Sequence, residues 1–127
     1  MIAIIDYGAG NLRSIRRALE INGAETVITS DADVIRKADA VVLPGVGHAG
    51  HAIGEIDRRG LTPAIRETVE AGKPFLGICV GMQVLFEHQE EGDTQGFGFL
   101  RGDVHSIEGA AKLPHIGWNR VEATETD

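Results

Sequence analysis

The 127-residue sequence predicts an α/β fold of three layers: a mostly parallel sheet with helices on both faces. Three observations carry that prediction. Short runs that are apolar throughout, rather than alternating, recur along the chain, as in strands buried on both faces. Segments with helical spacing of their apolar residues alternate with them, the pattern of parallel βαβ units. Glycine is also in excess, at 17 residues or about 13% against a usual ~7%. The glycines cluster just after the apolar runs, where a chain leaving a strand turns tightly or approaches a ligand closely.

Taken in order, residues 2–5 form the first strand, stopped by Asp6 and the turn Gly8-Ala9-Gly10. Leu12, Ile15 and Leu19 then fall on one face of a helix, with Arg13, Arg16 and Arg17 on the other, and Asn22-Gly23 is its stop signal. Residues 26–29 read as a second strand. Ser30 or Asp31 caps a short helix through Val34 and Ile35. Residues 40–43 form the third strand, closed by Pro44-Gly45-Val46-Gly47. Residues 48–60 are weakly helical. A better helix starts at Thr62-Pro63, with proline at the first helical position and Gly72 past its end. Residues 74–78 are the fourth strand and run directly into Cys79, after which Met82, Leu85 and Phe86 stand at helical spacing. Residues 92–98 read as a glycine-rich loop. Residues 99–127 read as irregular β structure with a turn at 113–119. There is no internal repeat and no linker, so residues 1–127 are expected to form one domain.

Composition narrows the function classes. Nineteen acidic against twelve basic residues give a net charge of −7, which disfavours nucleic acid or an anionic membrane as partner. Apolar runs fall far short of the ~18 residues that span a bilayer, and the amino end carries no basic, cleavable leader pattern, so the expected location is cytoplasmic. The single cysteine excludes an internal disulfide and a cysteine-based zinc site. A lone thiol is then either an inert small hydrophobe or a nucleophile.

Its surroundings distinguish the two. Ligands in folds of this class sit at the carboxyl ends of the strands, here among the glycine-rich loops 6–11, 44–50 and 77–81. Gly77-Ile78-Cys79-Val80-Gly81 has the form of a nucleophile elbow, with cysteine in place of serine. The elbow holds its nucleophile in a strained turn and needs small neighbours, which Gly77 and Gly81 supply. A helix starting there aims its free N–H groups at the sulfur and favours thiolate. The Val80 N–H, just after the nucleophile, is placed to bind an oxyanion. The five-residue pattern alone fits a packed, inert cysteine equally well; the strand before it and the helix after it favour the nucleophile.

The chain also resembles a known family. Ile4-Ile-Asp-Tyr-Gly-Ala-Gly-Asn-Leu12, Leu43-Pro-Gly-Val-Gly47, Gly77-Ile-Cys-Val-Gly-Met-Gln83 and Pro114-His-Ile-Gly-Trp-Asn119 match, in order, the glutamine amidotransferase subunits of imidazole glycerol phosphate synthases. The elbow alone marks the wider class I, triad-type glutaminases, whose sheet is flavodoxin-like. The resemblance implies that Cys79 attacks the side-chain amide of L-glutamine, forms a glutamyl thioester and releases ammonia. Val46, Gly47 and Val80 would supply the oxyanion hole, while Gln83 and Glu91 would help to hold the glutamine. No cofactor and no metal are implied. The ammonia would pass to a cyclase subunit, a (β/α)8 barrel joined to this one as a heterodimer in histidine biosynthesis.

One departure matters. A cysteine nucleophile needs a base, usually a histidine oriented by a carboxylate. In the resembled family both come from a His-Pro-Glu segment, which these 127 residues lack, so the chain reads as a C-terminally truncated, amino-terminal portion. Of the five histidines, His48 and His51 lie nearest the 44–47 loop but fit a loop and a helix start better than catalysis. His88 is expected on the helix after the elbow, facing solvent. His105 falls in β structure, and His115 in the turn that the resemblance places toward the cyclase. Trp118 fits an interface anchor or the domain's own core. The leading function is therefore a glutaminase subunit. The alternative is a truncated, inactive module that only binds the cyclase. A different cysteine enzyme on the same sheet, such as a peptidase, is opposed by the Asp6–Asn11 motif.

Overall fold

Four parallel strands make the central sheet of the structure, a computed structural model that describes residues 1–109 and 112–122. They are β1 (Ile2–Ile5), β2 (Thr26–Thr29), β3 (Ala40–Leu43) and β4 (Phe75–Gly77), in the spatial order β2-β1-β3-β4. Helix α1 (Leu12–Ile21) joins β1 to β2, and α2 (Ala32–Lys37) joins β2 to β3. Two helices, α3 (Ala49–Arg58) and α4 (Thr62–Glu70), lie between β3 and β4. The chain steps outward from β1 to β2, then back across β1 to β3 and β4. With right-handed crossovers, that reversal puts α1 on one face and α2, α3 and α4 on the other.

Side-chain alternation agrees with this layering. Ala3, Ile5, Val41 and Leu43 point to one face and form a single buried cluster with Ile35, Ala52, Ile56, Ala64 and Ile65 from α2, α3 and α4. Each fully buried isoleucine there contributes roughly 1.5–3 kcal/mol. Ile4 and Val42 point to the opposite face in register with Ile28 and Leu76. Coverage of that face thins toward β4, where Leu76 is 52% exposed.

The punctuation read from the sequence holds. Asn22 is the C-cap of α1, followed by Gly23 at φ +84°. Asp31 caps α2, its carboxylate accepting from the Asp33 N–H at 2.8 Å. Pro63 sits in the first turn of α4, and Gly72 follows its end at φ +69°. The weakly helical 48–60 stretch is a regular helix that buries Ala49, Ala52 and Ile56. Arg36 of α2 pairs with Glu67 of α4 at 2.7 Å. Lys73 donates to the carbonyls of Arg36 and Ala38, which ties the two helices together.

After the fourth strand the structure departs from the expected pattern. The helix beginning at Val80 is a single turn, α5 (Val80–Gln83), and Phe86 opens a strand instead of continuing it. Strands β5 (Phe86–Gln89), β6 (Thr94–Gln95) and β7 (Leu100–Val104) form a second sheet in the order β6-β5-β7. Its pairing is antiparallel on one side and parallel on the other. The physical reason is long-range. A continuing helix would need the Val84 and Leu85 carbonyls, but the N–H groups of Phe97 and Leu100 take them at 2.8 and 2.9 Å. Gly96 permits this close approach, because a Cβ there would lie 3.0 Å from the Val84 oxygen and overlap the Phe86 carbonyl. The 92–98 loop thus contains β6, and β7 is the regular part of the segment expected to be irregular. The last five residues of that segment, with residues 110 and 111, lie outside the described residues. Among the described residues no helix is long and apolar enough to cross a membrane.

Candidate active site

Cys79 stands at the junction of β4 and α5 with φ +54° and ψ −119°. A non-glycine residue in that region is strained by about 1–3 kcal/mol and persists only where surrounding packing over-determines it. The packing here is backbone on backbone. A Cβ on Gly77 would lie 2.6 Å from Met82 Cα and 2.7 Å from the Gly81 oxygen. A Cβ on Gly81 would overlap the Leu43 carbonyl oxygen, with the Leu43 carbon at 2.8 Å and the Pro44 carbon at 3.0 Å. A Cβ on Gly45 would overlap the Gly81 nitrogen and lie 2.9 Å from Val80. The flanking glycines therefore let the elbow press against the end of β3 and the 44–47 loop. The Ile78 N–H donates to the Leu43 carbonyl at 3.0 Å and locks that contact.

The thiol is exposed at the surface. Helix α5 is only one turn long, and of its N–H groups Gly81 is already bonded to the Ile78 carbonyl at 3.0 Å. Met82 and Gln83 bond back to the Cys79 carbonyl at 2.9 and 3.1 Å. Among the described residues no protein acceptor takes the N–H of Val80, Val46 or Gly47. Val46 and Gly47 are both exposed, and Gly47 adopts φ +81°. The three groups assigned to an oxyanion hole are thus unsatisfied donors on two backbones in contact.

Gln83 and Glu91 also come together: both line a cavity of about 480 Å³ with Gln89, His105, Ile107 and Leu113. Cys79 is not among its lining residues; the cavity and the thiol are linked through α5, which carries Gln83 one turn after Cys79.

Two residues stand out that the sequence left unassigned or in the background. Gln89 is only 1% exposed, and its side-chain amide donates to the Gln83 carbonyl at 2.7 Å. Nothing in the polar run around it marks it as buried. Tyr7, which the sequence shows as a member of the Ile4–Leu12 motif without a role of its own, is fully buried, and its hydroxyl donates to the Pro44 carbonyl at 2.9 Å. Burial pushes its phenol above the ordinary tyrosine value, and a charge on Cys79 opposes its ionisation further.

The histidines are placed elsewhere. His48 caps α3, its Nδ1 accepting from the Gly50 N–H at 3.0 Å. His88 lies on β5, not on a helix, and meets Asp93 at 2.8 Å. His105 faces Glu90 at 3.7 Å, and His115 meets Asn119 at 3.1 Å. Among the described residues no hydrogen bond joins a histidine to Cys79. Trp118 is fully exposed rather than buried in a core, and Arg13, Arg16 and Arg17 form an exposed helix face.

A strained cysteine at the carboxyl end of a parallel strand, clasped by a glycine loop from the neighbouring strand, defines an α/β protein of the nucleophile-elbow class. Residues 3–125 match the family model described as glutamine amidotransferase class-I, and the chain belongs to that family. It is 52% identical to the imidazole glycerol phosphate synthase subunit HisH of Rhodopirellula baltica, over 98% of this chain and 62% of that protein. The subunit of the same name from Bacillus cereus is 48% identical over 95% of this chain and 58% of its own length. The chain therefore spans about three-fifths of the relatives it matches. A crystal structure of a glutamine amidotransferase superposes with a TM-score of 0.69 at 21% identity, covering 81% of this chain and 55% of that one. At that identity the likeness speaks for the fold.

Proposed function

We propose that this chain carries the nucleophile and the glutamine-holding residues of a glutaminase subunit that makes ammonia for imidazole glycerol phosphate formation. The observation that carries the reading is Cys79 at φ +54°, in an elbow that only Gly77 and Gly81 allow. In this chemistry the Cys79 thiolate attacks the side-chain amide carbon of L-glutamine. The resulting oxyanion is met by the N–H groups of Val46, Gly47 and Val80, each such donor being worth roughly 3 kcal/mol in the transition state. The amide nitrogen of the tetrahedral species takes up a proton, its bond to carbon breaks as the oxyanion collapses, and it leaves as ammonia with a glutamyl thioester behind; water then releases glutamate. Gln83 and Glu91, on the shared cavity, hold the substrate's amino-acid end. No cofactor or metal takes part.

The ammonia acceptor is a (β/α)8-barrel cyclase subunit, bound as a heterodimer in the cytoplasm. Support comes from the names of the relatives and from Ile116 and Trp118, which are 86% and 103% exposed on the turn expected to face the cyclase. Exposed aromatic and aliphatic anchors of this kind are what a partner surface buries.

The test is covalent labelling. A glutamine-mimicking diazo-ketone is expected to add one equivalent to the chain, on Cys79 by peptide mass mapping, with L-glutamine slowing the reaction. Adduct formation that persists in Cys79→Ala would refute the assignment.

A further inference from the structure

We infer that Tyr7 is a positioning residue for this reaction: its hydroxyl holds the Pro44 carbonyl and thereby aims the Val46 and Gly47 N–H groups at the carbon that Cys79 attacks. The inference rests on the glutaminase reading and deepens it. Tyr7 is the only tyrosine in the chain and heads the fully buried side chains by size. A buried phenol needs a partner for its proton, and this one finds it 37 residues away, on a loop rather than within its own strand or turn.

The loop has few other restraints. Proline has no N–H, and among the described residues Gly45, Val46 and Gly47 make no backbone hydrogen bond. Gly45 and Gly47 are conformationally soft, and Gly47 is already at φ +81°. Steric contact confines the loop from two sides: Gly10 under the Pro44 ring and Gly81 against Gly45. Contact of that kind limits position but sets no rotation of the peptide planes. The Pro44–Gly45 peptide is rigid, so fixing its carbonyl fixes the opposed Gly45 N–H and the Gly45 Cα from which the next two peptides start, which narrows the arcs their N–H groups can sweep. The Tyr7 hydroxyl is the polar tether that does this. Burial, and secondarily a charge on Cys79, both oppose ionisation of this phenol, so the hydroxyl keeps the proton that the tether donates.

Tyr7→Phe separates this role from simple packing, because phenylalanine fills the same space without the hydroxyl. The chain is assayed with two electrophiles. Iodoacetamide alkylates the thiolate by displacement and forms no oxyanion. The γ-(p-nitrophenyl) ester of glutamic acid acylates the thiolate through a tetrahedral oxyanion, and its leaving group departs without a proton donor. Tyr7→Phe is expected to slow acylation about tenfold, the rate equivalent of one hydrogen bond, with an unchanged half-saturating ester concentration. Alkylation should stay within about twofold, and the Pro44 carbonyl ¹³C resonance should shift as its hydrogen bond is lost. Circular dichroism and a urea melt establish that the variant is folded. Unchanged acylation in a folded Tyr7→Phe, or an equal fall in both reactions, would overturn the inference. Failure of the unsubstituted chain to be acylated while it is still alkylated would instead overturn the glutaminase reading, so the two failures are told apart.

Discussion

The tightest contact in the elbow is open to direct measurement through Gly81→Ala. The added methyl would overlap the Leu43 carbonyl oxygen and stand 2.8 Å from its carbon and 3.0 Å from that of Pro44. All three are backbone atoms, so no side chain can swing aside. The Leu43 carbonyl is also held by the Ile78 N–H at 3.0 Å, in the register that pairs Leu43 with Gly77. Relief requires the elbow and the end of β3 to part by on the order of 1 Å, which breaks that bond. Overpacking of this kind costs about 1–3 kcal/mol. The lost hydrogen bond adds about 1 kcal/mol, and the helical preference of alanine over glycine offsets up to about 1 kcal/mol. The net expectation is a destabilisation of about 1–4 kcal/mol, or a melting point lower by about 5–15 °C for a domain of this size. Urea denaturation followed by circular dichroism measures it. Gly54→Ala is the control: a Cβ there meets nothing within 4 Å, its φ is not positive, and it lies inside α3, so it should stabilise by about 0.5–1 kcal/mol. If Gly81→Ala melted within about 0.5 kcal/mol of the parent chain, the close approach of elbow and β3 would be wrong.

Other predictions follow from the same geometry. Cys79→Gly should remove the nucleophile yet raise stability by about 1 kcal/mol, since glycine adopts φ +54° without strain; a urea melt no higher than that of Cys79→Ala would argue against stored strain. The hydrogen bond from Arg36 holds the Glu67 carboxyl below its usual value, with their charge attraction helping. The contribution of this pair is therefore full above the ordinary glutamate range and is lost as pH falls through the lowered folded value; Glu67→Gln should flatten the acid limb of a stability–pH curve, and an unchanged limb would refute the link between α2 and α4. The 127 residues with the cyclase should release glutamate from L-glutamine at roughly a hundredth or less of the rate of a full-length relative, because among the described residues no oriented base meets Cys79; a comparable rate in a coupled glutamate assay would show that a base is present, and its loss in His48→Ala would identify it.

Much of the fold was legible because it depends on local chemistry. An apolar run without alternation must be buried on both faces wherever it sits, so β1 to β4 could be placed without knowing their neighbours. Asn22-Gly23, Asp31 and Gly72 act on their own backbone within a few residues, so the helix limits they set survive in the tertiary structure. The elbow was legible in part for the same reason: Gly77 is pressed by the Gly81 and Met82 backbone of its own turn, whereas the need for glycine at Gly81 comes from Leu43 and Pro44, which only the fold brings there. Tertiary structure decided what depends on atoms distant in sequence. The helix after Cys79 ends at Gln83 because Phe97 and Leu100 take the carbonyls it would need. Gln89 is buried because its amide reaches the Gln83 carbonyl, and no local pattern records that demand. Leu76 reads as core from its strand yet is half exposed, because among the described residues β4 is an edge that pairs only with β3. Tyr7 and Pro44 belong to motifs that could be read separately. Their hydrogen bond arises only when parallel pairing brings the ends of β1 and β3 side by side, since a buried hydroxyl takes whichever acceptor the fold places within its reach.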